Sequence, residues 1–230
     1  MESDVEEDMT QSQILSHAIL LREGYRQGGI ADDDISSQVM VFAPALWGEW
    51  EERIITLRQV ERLRKEQVLG LESTCIYVVE NPSVFAELVD AALLRRPQKD
   101  RCPLPFFICG NGQPTVAVIK LLDLLCGVEG LHLYYAGDLD SKGLSIAQSL
   151  QIRYSHVFKD WRMNTEQYLR YVKKGIPLVD GERSKLRNTE FSWDRDLGSA
   201  MADRGLKLHQ ELWVGELVSD WLNSNTESTR

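Results

Sequence analysis

The chain contains, at residues 137–143, the stretch Gly137-Asp138-Leu139-Asp140-Ser141-Lys142-Gly143, between an apolar run at 131–136 and a helical pattern at 144–150. The apolar run has the length and aromatic content of a buried strand. Aspartates two residues apart at the end of a strand point the same way. They repel each other unless a cation lies between them. The stretch therefore predicts a metal-binding turn, and simple capping of the next helix is the alternative.

On either side of this turn, predicted strands alternate with predicted helices. Strands are expected at residues 76–79, 106–109, 131–136 and 155–158, and helices at 84–94, 115–125 and 144–150. Strands joined by single helices form right-handed crossovers and a parallel sheet with helices on both faces. The predicted fold class is therefore α/β.

The front of the chain has a different pattern. An acidic tail precedes a helix at 11–26, a strand at 38–43 ends at Pro44, and Thr56 caps a helix at 57–69. We therefore divide the chain into residues 1–70, an acidic tail with a small α+β arm, and residues 71–230, the main α/β domain with C-terminal helices. The last of these helices is predicted at 206–222.

Three loops should meet at one edge of the predicted sheet, because the carboxyl ends of parallel strands lie together. They are Glu80 after the first strand, the turn at 110–113, and the aspartate turn. Glu80 would then face Asp138 and Asp140, although a lone Glu after a strand is more often a cap or a surface residue. The turn at 110–113 opens a helix whose amides could bind a phosphate.

The charge of the chain is unevenly distributed. The net charge is −9, but five of the first eight residues are acidic, and residues 153–187 carry nine Lys or Arg against four acids. This basic segment includes several aromatic residues, which is typical of a surface that holds a nucleic-acid backbone. A solvated helix face is the commoner explanation of such charge.

Other sequence features bear on the compartment. No stretch is long and apolar enough to cross a membrane, and the acidic N-terminus does not resemble a secretory signal. We expect a cytoplasmic protein with no membrane partner. The four cysteines show no Cys-x-x-Cys spacing, which favours buried free thiols over disulfides or a zinc site.

These residues resemble the Toprim domain of topoisomerases, primases and certain nucleases. That family has a glutamate after its first strand and Asp-x-Asp after its third, matched here by Glu80 and by Asp138 with Asp140. The segments at 77–88, 112–114, 137–143 and 161–163 look most like the C-terminal Toprim-like domain of Wadjet-type plasmid-defence nuclease subunits, which are related to the topoisomerase VI A subunit. No winged-helix domain with a nucleophilic tyrosine is recognisable, so strand passage is not expected.

The resemblance implies an endonuclease that hydrolyses DNA with Mg²⁺ or Mn²⁺, in defence against plasmid or viral DNA. Asp138 and Asp140 would hold the metal, and Glu80 would complete its shell or act as general acid or base. Lys142, Asn111 and Gln113 would orient the phosphodiester, and Arg162, Lys173 and Lys174 would follow the DNA strand. Lys142 as an exposed helix-start residue, and Arg162 paired with Asp160 or Glu166, are the alternatives.

Two other functions remain open from the sequence. Phosphoryl transfer through an aspartyl intermediate uses a similar Asp-x-Asp, but after the first strand of the sheet. A noncatalytic Toprim-like module could instead bind DNA or dock onto a larger complex, using the acidic tail and the aromatic C-terminal helix. The resemblance also implies an SMC-like or other defence complex as partner, and a homodimer, because related Toprim nucleases act as dimers.

Overall fold

The computed structural model describes residues 11–28, 33–69, 71, 75–95 and 104–227. The strands in these ranges are short and mostly buried. They are β1 (Gln38–Phe42), β2 (Glu52–Thr56), β3 (Cys75–Val79), β4 (Phe107–Cys109), β5 (His132–Ala136), β6 (Phe158–Asp160), β7 (Ile176–Pro177) and β8 (Leu206–Lys207).

The helices cover the sheet and form most of the C-terminal third. They are α1 (Gln11–Gln27), α2 (Pro44–Trp47), α3 (Leu57–Glu61), α4 (Lys65–Leu69), α5 (Pro82–Arg95), α6 (Val116–Leu125), α7 (Ser141–Arg153), α8 (Thr165–Tyr171), α9 (Asp180–Arg187), α10 (Leu197–Arg204) and α11 (Val214–Glu227), with 3-10 turns at Val172–Lys174 and Gln210–Trp213. None of these helices has both the length and the hydropathy needed to cross a bilayer.

A six-stranded sheet in the order β2-β1-β4-β3-β5-β6 forms the centre of the molecule. β3 pairs in parallel with β4 and β5, and β5 pairs in parallel with β6, whereas β1 runs antiparallel to both β2 and β4. Ile76, Val78 and Val79 of β3 are fully buried, as expected for a strand covered on both faces. The predicted α/β class, with helices flanking a mostly parallel sheet, is confirmed.

The front of the chain extends this sheet. Thr56 caps α3 as predicted, since its hydroxyl accepts from Gln59 N while the Gln59 side chain accepts from Thr56 N. The single helix predicted at 57–69 is wrong, because the Gln67 side chain accepts from Arg64 N and starts α4 separately. Strand β2 was not predicted. The domain boundary after residue 70 stays a prediction, and β1 and β2 share the sheet of the later strands.

Two further predictions placed an element wrongly. The strand expected at 155–158 is β6, three residues later, because Val157 N and Phe158 N still donate to Tyr154 O in the turn after α7. The helix expected at 206–222 begins only at Val214. Its first residues are extended instead, since β8 pairs with β7 and Leu208 pairs with Leu139.

Three cysteines, Cys75, Cys109 and Cys126, are free thiols, and the last two are buried. Burial raises the pKa of Cys109 to about 11 and that of Cys126 to about 12. The prediction of free thiols is confirmed for these three. Cys102 and the acidic residues 1–10 lie outside the described residues.

Candidate functional site

Glu80 and Asp138 lie at the carboxyl ends of neighbouring parallel strands. The register pairs Val79 of β3 with Ala136 of β5. Glu80 follows Val79 directly and Asp138 lies two residues after Ala136, so both acids lie just beyond the same end of the paired strands. Glu80 N donates to Ala136 O at 3.1 Å, and Asp138 N donates to Glu80 Oε2 at 3.3 Å. The predicted meeting of Glu80 with the aspartate turn is therefore confirmed.

Asp140 is the N-cap of α7. Its Oδ1 accepts from Gly143 N at 2.7 Å, and its backbone is extended as a cap requires. The capping role considered as an alternative is therefore present in the structure. It uses one carboxylate oxygen, and the carboxylate remains close enough to Glu80 to influence the pKa of that residue.

Two glycines allow the turn to pack tightly against Glu80. A Cβ at Gly143 would lie 2.2 Å from Asp138 O and 3.0 Å from Glu80 Oε2. A Cβ at Gly137 would lie 2.8 Å from both Glu80 Oε2 and the Tyr135 hydroxyl. Because no real Cβ tolerates such distances, only glycine fits at these positions without moving the carboxylate.

The loop between β4 and α6 is the third side of the site. Gly112 N donates to Glu80 O at 3.1 Å, and a Cβ on Gly112 would lie 3.4 Å from Lys142 Nζ. The structure thus brings Lys142 beside this loop, and the two neighbours of Gly112, Asn111 and Gln113, are exposed there.

The N-terminus of α6 is already satisfied by protein groups. Ala117 N donates to Ser37 Oγ, and Val118 N donates to Thr115 Oγ1. The expectation that these amides bind a phosphate therefore gains no support. The exposed loop residues and Lys142 remain available at this edge to contact a substrate.

Glu80 has an unusual electrostatic environment. The residue is only 9% exposed. Burial, followed by the nearby negative charges of Asp138 and Asp140, raises the pKa of Glu80 to about 7, although a backbone hydrogen bond and Lys142 act in the opposite direction. A carboxyl group with a pKa near 7 can both accept and donate a proton at neutral pH.

The Tyr135 hydroxyl lies next to this carboxylate. It is buried, and none of the described residues forms a hydrogen bond with it. Burial and the charges of Glu80, Asp138 and Asp140 hold the pKa of Tyr135 well above its usual value. A buried donor without a partner is costly, which makes this hydroxyl a marker of a ligand or water beside Glu80.

Sequence reasoning missed the C-terminal residues that complete the site. Leu208 and Leu139 exchange backbone hydrogen bonds of 2.9 and 3.0 Å, which places the next residues against Asp138. Gln210 N donates to Asp138 Oδ1 at 2.7 Å, and His209 Nδ1 lies 3.1 Å from Asp138 Oδ2. Glu211 joins them, since ligand atoms of Asp138, His209 and Glu211 all lie within 4.8 Å of one another.

No local sequence signal identifies these residues, because His209 and Glu211 are far from Asp138 along the chain. The pairing of Leu208 with Leu139 brings them together. Asn81, at the start of α5, extends the contact: its Nδ2 donates to Glu211 Oε1 at 2.6 Å. Glu80 and Asp140 do not belong to this compact group.

The basic residues predicted to follow the DNA strand lie in the turns after β6 and α8. Arg162 forms ion pairs with Glu216 and Asp220 of α11, so the alternative considered for it, an ion pair, is present but with other acids than Asp160 or Glu166. Lys173 and Lys174 are exposed in the 3-10 turn after α8, where Lys174 Nζ lies 5.7 Å from the centre of the Tyr171 ring. Their role in DNA binding stays a prediction.

Four tryptophans lie in the core or pack against it. Trp213 is 1% exposed, and Trp47, Trp50 and Trp193 are partly buried against the core. Trp213 and Trp221 are both buried, so the aromatic side of the C-terminal helix packs inward.

Comparison with known proteins gives one family. No curated protein matches the chain. Residues 53–221 match the model of the family described as "Protein of unknown function C-terminus (DUF2399)". The match includes Glu80, the aspartate turn, and the segment with His209 and Glu211. Because it spans well over half of the sequence, the chain belongs to the DUF2399 family.

Proposed function

We propose that this protein is a metal-dependent DNA endonuclease of the Toprim type, with Glu80, Asp138 and Asp140 at its active site. The observation that carries the proposal is the meeting of Glu80 with Asp138 at the ends of β3 and β5, where Glu80 Oε2 accepts from Asp138 N. The resemblance of this order of acids to Toprim nucleases supports the same reaction.

The residues present fit a divalent cation. Their chemistry is that of a hard oxygen-ligand site, because three carboxylates lie close enough for two of them to raise the pKa of the third. The unpartnered Tyr135 hydroxyl beside Glu80 also marks a place for a ligand or its water. A bound Mg²⁺ or Mn²⁺ would supply Lewis-acid polarisation of the phosphodiester and neutralise charge that develops on it.

Each residue has a separate task in this proposal. Asp138 is held in place by Gln210 N, and Asp140 keeps one oxygen free beyond its cap. Glu80, with a pKa of about 7, takes a proton from water or returns one to the leaving 3′ oxygen. Lys142 provides positive charge for a phosphate at the same edge of the sheet.

The binding partners in this proposal are those that the resemblance to Toprim nucleases implies. DNA is the substrate, and an SMC-like or other defence complex and a second copy of the chain are the expected protein partners. The competing view, a noncatalytic docking module that uses the aromatic C-terminal helix, is weakened because Trp213 and Trp221 of that region are buried.

The test is cleavage of supercoiled plasmid with Mg²⁺ or Mn²⁺. Wild-type protein should nick or linearise the plasmid, and Glu80→Gln and Asp138→Asn should each lower the rate by at least 100-fold. Glu87→Gln, an exposed acid on α5, is the matched control and should cleave normally. Metal-dependent cleavage that persists in both site variants would refute the proposed site.

A further inference from the structure

We infer that His209 and Glu211 form, together with Asp138, a second cation position that binds a first-row transition ion such as Mn²⁺. The three ligand atoms lie within 4.8 Å of one another. The inference deepens the proposed function and relies on it for the role of the ion, but the ion itself can be detected without measuring cleavage.

The distances suit ligands of one ion. Ligands about 2.1 Å from a metal lie about 3.0 to 3.4 Å apart at octahedral or tetrahedral angles. His209 Nδ1 and Asp138 Oδ2 are 3.1 Å apart. The Asp138 carboxylate is also oriented to bind the same ion as His209. Its Oδ1 accepts from Gln210 N, and its Oδ2 faces the imidazole.

A buried polar group adjoins the cluster. Gln210 lies between the two new ligands in sequence and is 0% exposed, and its Nε2 has no hydrogen-bond partner in the part of the chain that the structure describes. Its Oε1 accepts from Asn81 N at 3.4 Å, and Asn81 Nδ2 in turn donates to Glu211 Oε1. The carboxamide therefore lies beside the cluster with a free donor, which an oxygen atom of an ion-bound water or anion would satisfy.

The ligand types determine the class of ion. Imidazole nitrogen suits Zn²⁺ and other transition ions better than Mg²⁺, which prefers oxygen. Mn²⁺ suits the two carboxylates and, as a transition ion, accepts an imidazole more readily than Mg²⁺ does. The His209 side chain is 53% exposed, so the position is open to solvent and an ion can enter. Asp138 belongs to both positions, and the two would therefore adjoin each other at the end of β5.

The test is pulsed electron paramagnetic resonance of Mn²⁺ bound to the full chain, which detects ¹⁴N coupling from a coordinated imidazole. Wild-type protein should show this coupling. His209→Ala should lose it, and Glu211→Gln should weaken Mn²⁺ binding about 10-fold or more. His132→Ala, an exposed histidine at the other end of β5, is the matched control and should keep the coupling.

Further variants separate this inference from the proposed function. Glu80→Gln should abolish cleavage and keep the ¹⁴N coupling. If wild-type protein shows the coupling but does not cleave, the cation position is supported and the nuclease is refuted. Coupling that is absent in Mn²⁺-loaded wild type, or that persists in His209→Ala, would overturn the inference. Thermal unfolding of each variant checks that the fold is intact.

Discussion

At the scale of single residues, Glu80 is the most informative side chain. Its carboxyl group is buried near two other acids, and this raises its pKa from the ordinary 4.5 to about 7. Between pH 4.5 and about pH 7, the folded protein therefore keeps a proton on Glu80 that the unfolded chain has already released. By linkage, this lowers the stability of the fold as the pH rises from about 4.5 to about 7.

The first prediction tests this linkage with Glu80→Gln. The amide stays neutral, so the variant should lack the part of the pH dependence that Glu80 causes. When the pH is raised from 5 to 8, the free energy of unfolding of the variant should rise by up to about 3 kcal/mol relative to that of wild type. Urea unfolding of both proteins at the two pH values measures the difference, and equal pH dependence would contradict the raised pKa.

The second prediction concerns the Tyr135 hydroxyl, which is buried and has no hydrogen-bond partner within the described ranges. Tyr135→Phe should raise the free energy of unfolding of the metal-free protein by about 1 kcal/mol, because it removes an unsatisfied buried donor. Tyr77→Phe is the matched control: the Tyr77 hydroxyl is hydrogen-bonded to Ser224 Oγ at 2.9 Å, and its loss should destabilise by about 1 kcal/mol. A destabilising Tyr135→Phe would show that the hydroxyl does have a partner in solution.

At the scale of elements, the close contact between the aspartate turn and α7 depends on Gly143. Alanine in a helix is ordinarily favoured over glycine by about 1 kcal/mol. Here a Cβ would lie 2.2 Å from Asp138 O, a backbone atom that cannot move without displacing the site. Overpacking of this kind typically costs about 1 to 3 kcal/mol, so the steric cost exceeds the helical gain.

The third prediction is therefore that Gly143→Ala lowers the free energy of unfolding by up to about 2 kcal/mol. Gly215→Ala, in α11, is the matched control, because nothing lies within 4 Å of its Cβ position. It should be neutral or stabilising by up to about 1 kcal/mol. Chemical denaturation measures both, and a stabilising Gly143→Ala would mean that the turn relaxes easily.

A second contact between elements is made by Arg162, which has a left-handed backbone. Its φ is 60°, which is unusual for a residue with a side chain. The guanidinium is held by Asp220 with bonds of 2.5 and 2.6 Å, and it also pairs with Glu216. These ion pairs attach the turn after β6 to α11, so Arg162 has a clear structural task whether or not it contacts DNA.

At the scale of the whole molecule, α11 joins the end of the chain to its centre. Trp221 is buried and its ring packs edge-to-face on Phe107 of β4, with centroids 5.1 Å apart. Together with Leu208 on Leu139, this contact keeps the C-terminal segment on the edge of the sheet where the acids lie. The candidate site is therefore assembled from both the middle and the end of the chain.

The fourth prediction is that Trp221→Ala lowers the free energy of unfolding by about 3 to 5 kcal/mol, as for other buried large aromatics. Leu169→Ala, on an exposed part of α8, is the matched control and should change it by less than about 1 kcal/mol. Urea unfolding followed by tryptophan fluorescence and circular dichroism measures both. A small effect of Trp221→Ala would mean that α11 contributes little to the fold.

The sequence by itself determined the alternation of strands and helices, the α/β class, the cap at Thr56 and the meeting of Glu80 with Asp138. These follow from local periodicity and from the rule that parallel strands end at one edge. Tertiary structure alone decided that Arg162 pairs with α11, that residues 206–208 are extended, and that His209 and Glu211 lie beside Asp138. Such contacts join segments that are far apart in the chain. They depend on pairing and burial in the folded protein, and they produce no periodic pattern of residues in the sequence around them.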